Sequence, residues 1–190
     1  MKSPEASFVL PALAEALPGA RFVVIHRGAA APAASMLRMG ANVRQLKVFA
    51  ARWRTELDGA GGAIPPPGVP DAWHALWRDG GDAVRCVLNA AAYLTALADG
   101  IPRLPAERTF VLDHRRLIVD PRGAFAALAR FLGIDDAGFA RGVAGVAPRV
   151  EPVPEQVLAT RDELAPLIGL AGAEEFLTAA SARSREAWDR

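Results

Sequence analysis

Two short apolar runs set the limits on what this chain can become. RFVVIH (Arg21–His26) and RTFVLD (Arg108–Asp113) have the length and the branched, aromatic content of strands. The first, with four apolar residues in a row, reads as a strand buried on both faces of a parallel sheet. Helical or loop-like sequence surrounds both runs, and strands alternating with helices argue for an α/β chain built on a parallel sheet. Two parallel strands do not make a stable sheet by themselves, so other parts of the chain or a partner must supply cover.

The helices are legible from spacing and stop signals. One is expected from about Pro4 to Leu17, with Phe8, Leu10, Leu13 and Leu17 on one side. A second, with Pro32 in its first turn, continues through Met36, Leu37, Met39, Val43, Leu46 and Phe49 to about Leu57. The stretch DGAGGAIPPPGVP, residues 58–70, is a glycine- and proline-rich loop expected to be mobile. A short helix carries Trp73, Leu76 and Trp77, and a longer one runs from about Ala83 to Leu97. Asp120-Pro121 combines an N-cap with a proline at the first helical position, and Gly133 closes the helix that follows. Residues 135–190 read as helical fragments ending in a charged tail, within what is otherwise one domain over residues 1–190.

Bulk composition narrows the function classes. With 22 basic and 21 acidic residues the net charge is +1, so no global field draws the chain to nucleic acid or a membrane. The single cysteine, Cys86, excludes an internal disulfide and a cysteine zinc cage, and it reads as a small buried hydrophobe. His26, His74 and His114 lack metal-ligand spacing, so no metal is expected. No apolar run reaches the roughly eighteen residues of a membrane span. FVLPALAEALPGA has the look of a secretion signal, but Glu5 and Glu15 favour an amphipathic helix, and a cytoplasmic location is expected.

The stretch HRGAAAPAAS, from His26 to Ser35, carries the chemistry. Arg27 follows a strand, at the carboxyl end where ligands bind in open α/β sheets. Its planar guanidinium can grip a phosphate through two parallel hydrogen bonds. Ser35, eight positions later, is expected in the first turn of the next helix, adding a hydroxyl beside unpaired backbone N–H groups.

Three stretches together resemble the sulfotransferase family. KSPEASFVLPALAEALPGARFVVIHR resembles the segment running from its lysine motif to the strand that ends in arginine. HRGAAAPAAS resembles its 3′-phosphate-binding element, and RTFVLDHRRLIVDPRGAFAALARFLGID its strand, Tyr-Glu-Asp-Leu turn, Asp-Pro helix start and Phe-Leu-Gly end. The likeness covers roughly residues 1–135. It implies a parallel sheet of P-loop nucleotide-binding type, here N-terminally truncated and helix-rich. It also implies 3′-phosphoadenosine 5′-phosphosulfate as sulfuryl donor and a hydroxyl or amine on a small-molecule or carbohydrate acceptor. By position, Arg27 and Ser35 would hold the donor's 3′-phosphate. Lys2 would face the phosphosulfate bridge as the catalytic cation, and His114 would stack near the adenine.

Departures from that pattern matter equally. The glycine-, serine- and threonine-rich loop that cradles the 5′-phosphosulfate has no counterpart here. GAAAPAA replaces polar residues after the arginine, and HRRL reverses two charges through Arg115 and Arg116. The resemblance therefore implies a lone chain without turnover, and a homo-oligomer or a separate chain supplying the loop. A non-catalytic interaction protein that associates through its incomplete sheet is the rival expectation.

Simpler readings stand beside these. Arg27 can be a surface arginine, Ser35 a residue satisfying a backbone amide, Lys2 a frayed terminus and His114 a solvated loop residue. His26 points to the strand face opposite Arg27 and is expected to pack or bond the backbone. Trp73 and Trp77 read as core, His74 lacks a partner that would make it a base, and both RTELD and RSREAWDR read as solvated helix faces.

Overall fold

The computed structural model describes residues 4–41, 65–66, 68–135 and 151–188. Among these it is a helix-rich α/β structure holding a two-stranded parallel sheet. The chain divides into two compact units, one of residues 1–27, 97–151 and 172–190 and one of residues 28–96 and 152–171.

The first unit carries the sheet. A 3-10 turn at Pro4–Val9 leads into α1 (Leu10–Ala16), later than the expected start, because Pro11 suits only the first turn of an α-helix. Leu10 is buried, and Gly100 approaches it so closely that an added Cβ would lie 3.3 Å from its side chain. Leu17, expected on the apolar side, is half exposed beyond the helix end. Strand β1 (Phe22–His26) then pairs with β2 (Thr109–Asp113) in a five-residue parallel register from Phe22 opposite Thr109 to His26 opposite Asp113.

The expectation that RFVVIH is buried on both faces is corrected. Val24 and His26 are buried, whereas Val23 and Ile25 are 38% and 50% exposed. An unbroken β-branched run shows that a strand will form, and cannot show whether layers cover both its faces. β2 does meet that description, with Thr109 to Leu112 all buried.

After β2 the chain turns directly into two helices, α5 (His114–Val119) and α6 (Pro121–Leu132). Asp120 caps α6 as its sequence implies, accepting from the Gly123 N–H at 2.9 Å, with Pro121 at the first position. Gly133 ends it at φ 69°, where the N–H groups of Gly133 and Ile134 donate to Arg130 and Ala129 in a Schellman arrangement. Phe110, Leu112, Ala124, Ala127 and Phe131 form the core between sheet and helix, and Trp188 packs on it from the C-terminal helix.

Two arginines tie this unit together. Arg21 donates to the Phe131 carbonyl at 2.7 Å with its guanidinium over the Phe131 ring, placing positive charge at the carboxyl end of α6. Arg108, just before β2, reaches the carbonyls of Leu17, Pro18 and Ala20 in the turn that leads to β1.

The second unit contains α2 (Ala30–Ala41), α3 (His74–Asp79), most of α4 (Asp82–Gly100) and α7 (Glu155–Leu164). Trp73 and Trp77 are buried core residues, as their spacing implies. α2 packs against α7, and Asn89 on α4 donates to the Met36 sulfur at 3.2 Å. The expected continuation of α2 through Val43, Leu46 and Phe49 lies outside the described residues, as do RTELD and most of the 58–70 loop. Asp82–Arg103, which is α4 with the 3-10 turn after it, is long and apolar enough to cross a membrane by length and composition alone, and half of that stretch is buried inside the protein. That burial is what a core helix of a globular unit shows.

Finally α8 (Leu170–Trp188), 19 residues long, follows α7 as the second of the separate helices described in the C-terminal region. Its tail is more than a solvated face. Ser181 and Ser184 accept from the Asp113 and Val111 N–H groups at 2.9 and 3.0 Å, and the Trp188 ring meets Phe131 edge-on at 5.2 Å.

Candidate functional site

The parallel pairing fixes one feature that bears on function. Because His26 and Asp113 are register partners at the carboxyl ends of their strands, Arg27 and His114 leave the sheet side by side from the same edge. Both are half-buried, and both belong to the first unit. Arg27 takes part in an interaction of its own within the structure.

Asp113 prepares the other half of the edge. Its carboxylate accepts from the Arg115 N–H at 2.8 Å and so caps α5, which sets the direction in which His114 departs. Arg115 is exposed and Arg116 half-buried on the same short helix. Arg27, Arg115 and Arg116 thus follow the two strand ends closely in sequence, and the Asp113 carboxylate between them serves as the cap of α5.

Beneath the edge, His26 is 6% exposed, and its Nε2 has no hydrogen-bond partner among the described residues. Burial lowers its pKa below the ordinary histidine value, against opposing contributions from the Asp113 charge and a hydrogen bond with the Leu177 backbone. It is thus neutral at neutral pH, and the expectation that it packs and bonds the backbone agrees with what is seen.

The remaining candidates fall elsewhere. Ser35 is the sixth residue of α2 and lies in its second turn, so the expectation of a first-turn hydroxyl beside unpaired N–H groups is corrected. α2 begins at Ala30, with Pro32 in its first turn as expected and four alanines among its first five residues favouring helix. Ser35 belongs to the second unit and Arg27 to the first. Lys2 lies outside the described residues. His74 contacts the Val69 carbonyl at 3.1 Å and Asp71 at 3.5 Å, a local turn arrangement that ties down the start of α3.

Cys86 is half-buried on α4. Desolvation first, and the Asp82 charge second, push its thiol up to about 11, which makes it a poor nucleophile. Among the described residues no group of three or more His, Cys, Asp or Glu side chains could hold a metal.

Sequence reasoning missed the structural parts played by Arg21, Arg108, Ser181 and Ser184. A signal for the serines was present: Ser181, Ser184 and Trp188 are spaced i, i+3, i+7 and so share one helix face. Comparisons of the chain with protein-family models, curated proteins and solved structures return no match.

Proposed function

We propose that this chain is a sulfotransferase-like protein that binds the 3′-phosphoadenosine half of 3′-phosphoadenosine 5′-phosphosulfate at the carboxyl edge of β1 and β2. The observation that carries the reading is the parallel register ending in His26 opposite Asp113, which brings Arg27 and His114 out of the same edge. Arg27 grips the 3′-phosphate through its guanidinium fork, and His114 offers an imidazole face to the adenine. Arg115 and Arg116 add attraction for the anion.

In the full reaction the bond from sulfur to the bridging oxygen breaks as a bond to the acceptor oxygen or nitrogen forms. The acceptor proton passes to a base, and 3′-phosphoadenosine 5′-phosphate leaves. The 190 residues contain no phosphosulfate-cradling motif, so that loop and the base come from outside them, as an upstream segment or a separate chain. The proposal rests on residues of the first unit alone.

Calorimetric titration with 3′-phosphoadenosine 5′-phosphate and with 5′-AMP, on the native protein and on Arg27→Ala, tests it. The expected result is a preference for the 3′-phosphorylated nucleotide that falls about 10–100-fold in the variant, the size of a lost charge-assisted contact. Equal binding of the two nucleotides, or binding of neither, overturns it.

A second reading is favoured by the asymmetry of the sheet edges. β2 turns the N–H groups of Val111 and Asp113 toward the serines of α8, so the backbone groups of Phe110 and Leu112 face β1. By the same alternation Val23 and Ile25 turn theirs to the far edge of β1, where no strand pairs with them among the described residues. A non-catalytic subunit that associates through this open edge would use it, and Ile25→Lys would then lower the sedimentation mass without changing nucleotide binding.

A further inference from the structure

The contact of α8 with β2 lies directly beside a buried histidine, and the two together form a device that the nucleotide reading does not use. Ser181 and Ser184, one turn apart, take the place of a neighbouring strand by accepting the outward N–H groups of Asp113 and Val111. One turn earlier on the same helix, the backbone of Leu177 meets His26. That imidazole is 94% buried, being 6% exposed, and its Nε2 has no partner among the described residues.

Taking up a proton would place a charge and a second N–H donor in this site. A buried unpaired charge is costly, and a conformational change that wets the ring relieves the cost. β1 and β2 are locked to each other by the parallel ladder, so the element free to move off His26 is α8.

The charged groups around the ring do not remove this cost. Asp113 on β2 favours the protonated form, but its carboxylate is already used as the cap of α5. On α8, Glu174 lies about one turn from Leu177 along the same face. His114, Arg115 and Arg116 begin α5, and Arg27 follows His26 on the opposite strand face.

We propose that His26 is an acid-sensitive latch: its protonation releases α8 from the sheet and uncovers the outer edge of β2. The release is local, leaving the β1–β2 ladder paired.

Amide hydrogen exchange, resolved by residue and corrected for intrinsic rates, tests this at about pH 7.5 and about pH 4.5, the lower point set below the ordinary histidine range because burial displaces His26 downward. Protection at Val111 and Asp113, which face α8, is expected to fall about tenfold or more at the lower pH, while Phe110 and Leu112, which face β1, stay within about threefold. The midpoint of that fall should coincide with the titration of the His26 ring followed by NMR in the same samples, which needs no variant. His26→Phe and His26→Gln should each abolish the fall.

Protection lost equally at all four amides would mean general acid unfolding and would overturn the latch. So would protection that does not change, a midpoint apart from that of His26, or a fall that persists in a folded His26 variant.

Discussion

Ser181 Oγ lies 2.9 Å from the amide nitrogen of Asp113 and accepts its hydrogen, so a helix side chain completes the hydrogen bonding of a strand. Ser184 does the same for Val111. Edges of sheets need such cover, and here the covering element comes from 68 positions further along the chain. Ser181→Ala leaves a half-buried N–H without its acceptor and is expected to cost about 1–2 kcal/mol, with Ser184→Ala similar. Urea denaturation checks both. The double variant should cost less than the sum of the singles if the two hydroxyls act as one clamp.

Arg108 holds the turn before β1 by reaching three of its carbonyls. Arg108→Leu keeps the aliphatic bulk and removes the donors, and is expected to lower stability by about 1–2 kcal/mol. Arg108→Lys should recover only part of this, because one ammonium cannot match the planar spread of a guanidinium. Thermal melts of the three proteins under the same conditions decide it.

Phe131 is 1% exposed and contacts Phe110, Trp188 and the Arg21 guanidinium. Phe131→Ala therefore opens a cavity shared by sheet, α6 and α8, with an expected cost of about 3–5 kcal/mol. Trp188→Ala removes only the outer member of this stack and should cost about 1–3 kcal/mol while loosening α8. Hydrogen exchange in residues 177–188 is the measurement that separates the two.

Cys86 has its pKa raised to about 11, so the folded protein holds it as a thiol well above neutral pH. Reaction with iodoacetamide at pH 8 should be at least about tenfold slower than for the unfolded chain, where the group titrates near 8.5. The sign for stability follows: the neutral thiol favours the fold below the unfolded value, and this advantage is lost as pH rises toward about 11. Equal alkylation rates in native and denatured protein would contradict the burial of this residue.

Gly80 sits where an added Cβ would lie 2.6 Å from the Leu76 carbonyl oxygen and closer still to the Val84 side chain. Because one of those atoms is backbone, Gly80→Ala is expected to cost about 1–3 kcal/mol. Gly81→Ala, with open space around it, serves as the neutral control in the same denaturation series.

What could be read from the sequence was local. The strand cores at Val24 and Val111, the Asp120-Pro121 start and the Gly133 stop each depend on a few adjacent residues, and each is found where its pattern lies. Exposure of Val23 and Ile25 was hidden, because it depends on which layers cover the sheet. Ser35 was placed a turn too early, since alanines begin a helix without any capping signal. The partners of Arg21, Arg108, Ser181 and Ser184 were hidden too, for they join segments about 68 to 110 positions apart; the helical spacing of Ser181, Ser184 and Trp188 marks a shared face without saying what it meets. Of the candidate site, the positions of Arg27 and His114 at strand ends were legible, while their sharing of one edge needed the register.

That register has a consequence during synthesis. Phe22 pairs with Thr109, 87 positions away (109 minus 22), so β1 leaves the ribosome long before its mate exists. At about 5–20 residues per second the wait is ~4–17 s. The serines that cover β2 arrive 68 residues later still, after roughly 3–14 s more. A nascent chain of this kind exposes first one naked strand and then one naked sheet edge, and during those seconds holdase chaperones would have most to bind.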